Sequence, residues 1–217
     1  MGFLRTALIW SGIALVLAVP LAVAAQSPLL AWRQPVYIVS SFAGILGLGL
    51  IFLQPLLTAG ALPGLPARQG RHLHRRVGTL LVAAVVVHVG GLWITSPPDV
   101  IDALTFTSPT PFSDWGVIAM WALFAAAALA VARDRMRLRP RTWRLAHSGL
   151  VAVAAIGTVA HALLIEGIMG PVSKVALCAL ALAALARTLH DLRTWTLLRR
   201  RALQAPRGNA PRRKKSG

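Results

Sequence analysis

Six times the sequence runs for about twenty residues with almost no charge, far more apolar surface than a water-soluble core of this size can hide. The runs are Leu4–Ala25, Val36–Ala61, Val77–Thr95, Trp115–Val131, Ser148–Ile165 and Ser173–Leu189. Each is near the ~20 residues with which an α-helix crosses the hydrocarbon layer. None alternates as a barrel strand must, and backbone groups in lipid need partners within their own segment, so helices are predicted. Composition agrees, since 56% of the 217 residues are hydrophobic. The expected fold is an all-α integral membrane protein, a bundle of six transmembrane helices.

The charge is lopsided, with 23 Lys+Arg against 6 Asp+Glu. A balance this basic raises the question of nucleic acid, and placement answers it. Arg68, Arg71, Arg75 and Arg76 fall in one connection, and six arginines fall between Arg133 and Arg144. The tail from Arg193 is basic as well. The intervening connections are acid-bearing: 96–114 contains Asp99, Asp102 and Asp114, and 166–171 contains Glu166. Arg33 is the exception. This alternation follows the positive-inside rule, puts both termini in the cytoplasm of a bacterial inner membrane, and leaves lipid rather than nucleic acid as the charged partner. Trp32, Trp93, Trp115, Trp143 and Trp195 fall near segment ends, where an aromatic belt belongs.

The chain divides into a first helix and outer loop over 1–35, a core over 36–190 and a basic cytoplasmic tail over 191–217. Two readings compete for the first run: a retained helix, or a signal-like segment ending at the small-residue stretch LAVAAQ. The tail reads as a topology anchor or as a basic helix on the inner leaflet. No internal repeat longer than a motif is visible. The single cysteine, Cys178, rules out an internal disulfide and a covalent C-x-x-C-H haem site, and reads as a small packing residue.

Histidine carries the chemistry. His88 and His161 lie inside runs that otherwise lack charge, where an ionisable group needs a compensating partner. Each stands fourteen residues after another histidine, His74 and His147 respectively. On a helix that interval spans ~21 Å and returns to within ~40° of the same face. His72 points away from His88 and is the weaker alternative to His74. Both helices are expected to enter from the cytoplasm, so the histidines stand at two matching depths. Zinc prefers four ligands, often thiolate or carboxylate, which these helices lack at either depth. A haem brings four equatorial nitrogens and asks only for two axial imidazoles. Gly78, Gly90, Gly91, Gly149 and Gly157 could admit a porphyrin or simply allow close helix packing.

HRRVG followed by His88, and WRLAH followed by His161, resemble the ferric-reductase-like transmembrane domain. That superfamily includes ferric reductases, the membrane cores of NADPH oxidases and the haem-binding subunit of the periplasmic methionine-sulfoxide reductase system. The resemblance covers roughly Val36–Leu189. It implies haem b, two copies or one, with His74 and His147 as axial ligands of an inner haem iron and His88 and His161 of an outer one. Arg71, Arg75, Arg76 and Arg144 flank the inner site and are candidates for pairing with haem propionates. Lys174, near the outer face, is either a partner for an anion or a snorkelling lysine. His190 is expected at the interface.

Full-length reductases carry a cytoplasmic flavin and nicotinamide module. After Leu189 about 28 residues remain, too few for a nucleotide-binding unit and without a Gly-rich phosphate loop. The resemblance therefore implies an electron-transfer subunit supplied by a separate flavin reductase or by quinol. It would deliver electrons to an external acceptor, in some systems a partner protein. The competing reading is a small transporter or channel that uses intramembrane histidines as a proton or metal relay.

Overall fold

Prolines set where most of the helices begin. The computed structural model describes residues 2–58, 60 and 62–204, with side chains described as far as Asp191. Its helices are α1 (Gly2–Ala25), α2 (Pro35–Thr58), α3 (Ala67–Thr95), α4 (Pro97–Leu104), α5 (Pro111–Val131), α6 (Arg133–Met136), α7 (Pro140–Leu164) and α8 (Pro171–Gln204). Five start on proline, whose missing N–H is no loss in the first turn and whose fixed φ already suits a helix. Six are long and apolar enough to cross a membrane, namely α1, α2, α3, α5, α7 and α8 through Asp191. The protein is an all-helical integral membrane protein with six candidate spans. Trp195 and the 191–217 tail beyond its first residue lie outside the residues whose side chains are described.

Helix α3 begins ten residues before the apolar run that announced it, because the arginine-rich stretch from Ala67 is already helical. The acid-bearing connection is likewise not a plain crossing. It holds the short helix α4 and then a knot of hydroxyls, in which Thr110 and Ser113 lie 2.7 Å apart and Ser108 is 2.9 Å from Thr110.

Helix α2 is the hub. Ile45, Leu48 and Phe52 on one side join Leu177, Cys178, Ala181 and Ala184 of α8, with Ala24 of α1 and Val159 of α7. Leu50 and Leu57 on another side meet Val77 and Leu81 of α3. Cys178 is thus buried in packing. Helix α8 packs on both α2 and α7, and the Thr188 hydroxyl reaches the Pro55 carbonyl at 3.5 Å. Leu80, Val86, Val87 and Ile94 of α3 and Leu8 and Leu15 of α1 are exposed on the outside of the bundle, where lipid would be their solvent.

The most extensive contacts are those of α2 with α3 and of α5 with α7. The bundle is therefore built on two antiparallel hairpins, and α3 and α7 do not share a packed seam. Small residues let each hairpin close. Gly91 meets Ser40 and the Val36 carbonyl, and Gly157 meets Ala119 and the Trp115 carbonyl. Ser40, fully buried, donates its hydroxyl to the His88 carbonyl at 2.5 Å. Ser40→Ala is expected to cost about 1 kcal/mol, the usual size of such a bond between membrane helices, read as a lower unfolding temperature in detergent.

Candidate functional site

The space between α3 and α7 is crossed at two levels by facing imidazoles. At the arginine-rich end the ring centres of His74 and His147 are 6.5 Å apart, with planes inclined at 76°. Some four turns further along, those of His88 and His161 are 6.4 Å apart, again at 76°. The four histidines picked out by spacing are thus brought together in two pairs, on parallel helices. His72 is exposed, while His74 is half-buried and paired. Among the described residues no third His, Cys, Asp or Glu joins either pair to make a metal cluster.

Backbone carbonyls hold the rings. His88 Nδ1 lies 2.8 Å from the Ser40 carbonyl, and His161 Nδ1 lies 2.8 Å from the Phe112 carbonyl. One turn after each carbonyl stands a glycine against the ring. A Cβ on Gly44 would fall 2.9 Å from His88 Nδ1, and one on Gly116 would fall 2.8 Å from His161 Nδ1. Neither glycine can grow a side chain without moving its histidine. At the other level His74 Nδ1 is 3.4 Å from the Gln54 carbonyl. The buried Gln54 side chain lies against the same ring nitrogen, and its amide oxygen can accept from the Gly78 N–H at 2.8 Å. His147 Nδ1 is buried without a hydrogen-bond partner, its approach to the Ala126 backbone falling short of hydrogen-bond geometry.

These supports repeat. Ser40 and Gln54 are fourteen residues apart, as are Phe112 and Ala126, so the carbonyls keep the same interval as the histidines that they face. Seventy-two residues separate Ser40 from Phe112, Gly44 from Gly116 and Gln54 from Ala126, and seventy-three separate His74 from His147 and His88 from His161. The α2–α3 hairpin is answered by α5–α7. The sequence concealed this repeat because its repeated parts are main-chain carbonyls and small residues, contributed by side chains as unlike as serine and phenylalanine.

The other expected residues divide. Arg71, Arg75, Arg76 and Arg144 are exposed beside the His74–His147 level. Of the five glycines, Gly78, Gly91 and Gly157 are packed against neighbouring helices, while Gly90 and Gly149 face open space. Lys174 donates from Nζ to the Ile165 carbonyl at 2.7 Å, at the end of α7. His190 lies 3.8 Å from Asp191.

The match to a family model decides where the chain belongs: residues 43–158, more than half of it, fit the model of the ferric reductase like transmembrane component. The chain belongs to that family. Comparison with curated proteins found no match, and neither did comparison with solved structures. The matched stretch contains His74, His88 and His147 together with the supports Gly44, Gln54 and Gly116, while His161 lies three residues beyond it. Membership identifies a membrane electron-transfer component of an oxidoreductase system, in a family whose members typically bind haem.

The imidazole pairs fit that group. Two imidazoles bound to one metal, each at ~2.0–2.1 Å with about 1.15 Å more to its own ring centre, place their centres about 6.4 Å apart. The observed separations are 6.5 and 6.4 Å. For His88 and His161, whose Nδ1 lies 2.8 Å from a carbonyl, the unprotonated Nε2 is left as the nitrogen free to ligate.

Proposed function

We propose that the chain is the haem b subunit of a ferric-reductase-like oxidoreductase. It carries electrons across a bacterial inner membrane from a separate flavin reductase or quinol to an external acceptor. The observation that best supports this is the spacing of the facing imidazoles, 6.5 and 6.4 Å between centres, at two levels of one bundle. His74 and His147 are assigned to an inner haem and His88 and His161 to an outer one. The arginine-rich connections assign both termini to the cytoplasm and make the His74–His147 level the inner one. The proposed haem-binding core is 36–190, flanked by the first helix with its loop and by the basic tail.

Bound haem supplies a one-electron ferric–ferrous couple. The chain supplies everything that makes the couple useful. Carbonyls of Ser40 and Phe112 fix the tautomers of His88 and His161, leaving Nε2 free on each ring. The exposed Arg71, Arg75, Arg76 and Arg144 are the candidates to neutralise inner propionates.

The purified full chain is expected to show a Soret band and visible bands that sharpen on reduction with dithionite, with two haems per chain. Its ferric electron paramagnetic resonance spectrum is expected to be low-spin and strongly anisotropic, since the paired ring planes are inclined at 76°. A colourless protein, after expression with ample haem, overturns this reading and favours a histidine relay in a transporter.

A further inference from the structure

The two imidazole pairs match in separation and angle but differ in what holds the rings. Three of the four histidines have a carbonyl within hydrogen-bond distance of Nδ1. The fourth, His147, faces the Ala126 carbonyl, but its buried Nδ1 forms no bond of hydrogen-bond geometry with it. A ring without that bond is free to turn about its side-chain torsions unless something else stops it.

Trp143 stops it. One turn earlier on α7, it lies flat against His147, with ring centres 5.1 Å apart and planes within 7° of parallel. Its indole N–H donates to the Leu129 carbonyl on α5 at 3.3 Å, so the stack is tied to a second helix. On the indole ring sits the Arg133 guanidinium, 4.6 Å from the ring centre. Arginine, indole and imidazole thus form a stacked column from the exposed surface to the half-buried His147.

The other hairpin lacks this column. Seventy-three residues before Trp143 is Gly70, and seventy-two before Leu129 is Leu57. A Cβ on Gly70 would fall against the Leu57 carbonyl, so there the helices simply touch where Trp143 reaches across with a hydrogen bond. The column belongs to one histidine of four.

We propose that Trp143 and Arg133 are positioning residues of the inner site: Trp143 fixes the His147 ring plane where the Ala126 carbonyl makes no well-formed hydrogen bond, and Arg133 presents a positive charge that favours the reduced inner haem. This rests on the haem reading above. A ligand whose Nδ1–H has only a poorly placed acceptor donates less electron density to its metal. A nearby cation stabilises the state with one positive charge fewer. Both effects raise the inner midpoint potential, and neither acts on the outer site.

The test uses the full-length haem-loaded protein and the variants Trp143→Leu, Trp143→Phe and Arg133→Gln, read by paramagnetic resonance and potentiometric titration. His88→Ala, which should keep only the inner haem, identifies its signal. Trp143→Leu is expected to shift that one low-spin signal and lower its midpoint, leaving the outer haem unmoved. Trp143→Phe, still able to stack, keeps the signal in place. Arg133→Gln keeps the signal and moves the inner haem's redox equilibrium toward ferric by on the order of threefold, as suits a unit charge near the protein surface. Unchanged signals and midpoints in Trp143→Leu, or changes confined to the outer haem, overturn the proposal. Should Trp143→Leu lose its haem, Arg133→Gln decides, and an unmoved midpoint there overturns it. Silent variants of a normally loaded protein sink only the column. Absence of haem from the unmodified protein sinks the haem reading and the column together.

Discussion

His88→Ala is expected to purify with one haem in place of two, its reduced absorbance falling by about half as one of two bis-imidazole sites loses an axial ligand. His161→Ala should do the same, and the double variant should lose no more than either alone, since both changes empty one site. The reason is geometric. The two rings face each other at 6.4 Å on opposite sides of the gap between α3 and α7, and no other described His, Cys, Asp or Glu clusters with them to take over. His72→Ala is the control, because that side chain is exposed and outside both pairs. Retention of two haems by both His88→Ala and His161→Ala would refute the ligand assignment.

The second large effect comes from residues with no side chain at all. Gly44→Val and Gly116→Val are expected to empty the outer site while leaving the inner one loaded. A Cβ at Gly44 would already stand 2.9 Å from two atoms of the His88 ring, and one at Gly116 would stand 2.8 Å from His161 Nδ1. The ring must move away, and in moving it loses its 2.8 Å carbonyl bond. Overpacking of this kind costs about 1–3 kcal/mol, roughly 5- to 150-fold in haem affinity if it falls on the bound state. Alanine at either position should give a milder version of the same loss. Gly149→Ala, which meets nothing within 4 Å, should leave the haem-to-protein ratio unchanged. Outer-haem occupancy in Gly44→Val equal to that of the unaltered protein would show that the cradle has no role.

These two experiments mark what could and could not be read from the residues. The spans were legible because apolar length is a direct physical requirement of a bilayer. The histidine pairs were legible because a fourteen-residue interval returns to one helix face whatever lies between. The start of α3 at Ala67 was not, since hydropathy marks where lipid begins and not where hydrogen bonding begins. Proline at the head of five helices was a usable signal for those boundaries. The carbonyls of Ser40 and Phe112 could not be found at all, because a main-chain acceptor has no letter of its own. Gln54, a polar residue in an apolar run and fourteen after Ser40, was the clue to the supporting helix. Trp143 was legible only as a belt residue, because stacking depends on a neighbouring ring's plane, which spacing alone does not fix.

On the haem reading, the doubled hairpin also divides the labour of holding the cofactors. Each site takes one ring from α3, braced by α2, and one from α7, braced by α5, so neither hairpin contains a complete site. Both hairpins, and α8 docked on α2 and α7, are held by contacts within the chain itself. On the haem reading, bound cofactor would join α3 directly to α7, which have no packed seam of their own. Binding free energy then becomes cohesion between the halves, growing with free haem as mass action requires. On that reading haem supply would act as a rivet, and the haem-free bundle is expected to be cut faster by protease than the loaded one.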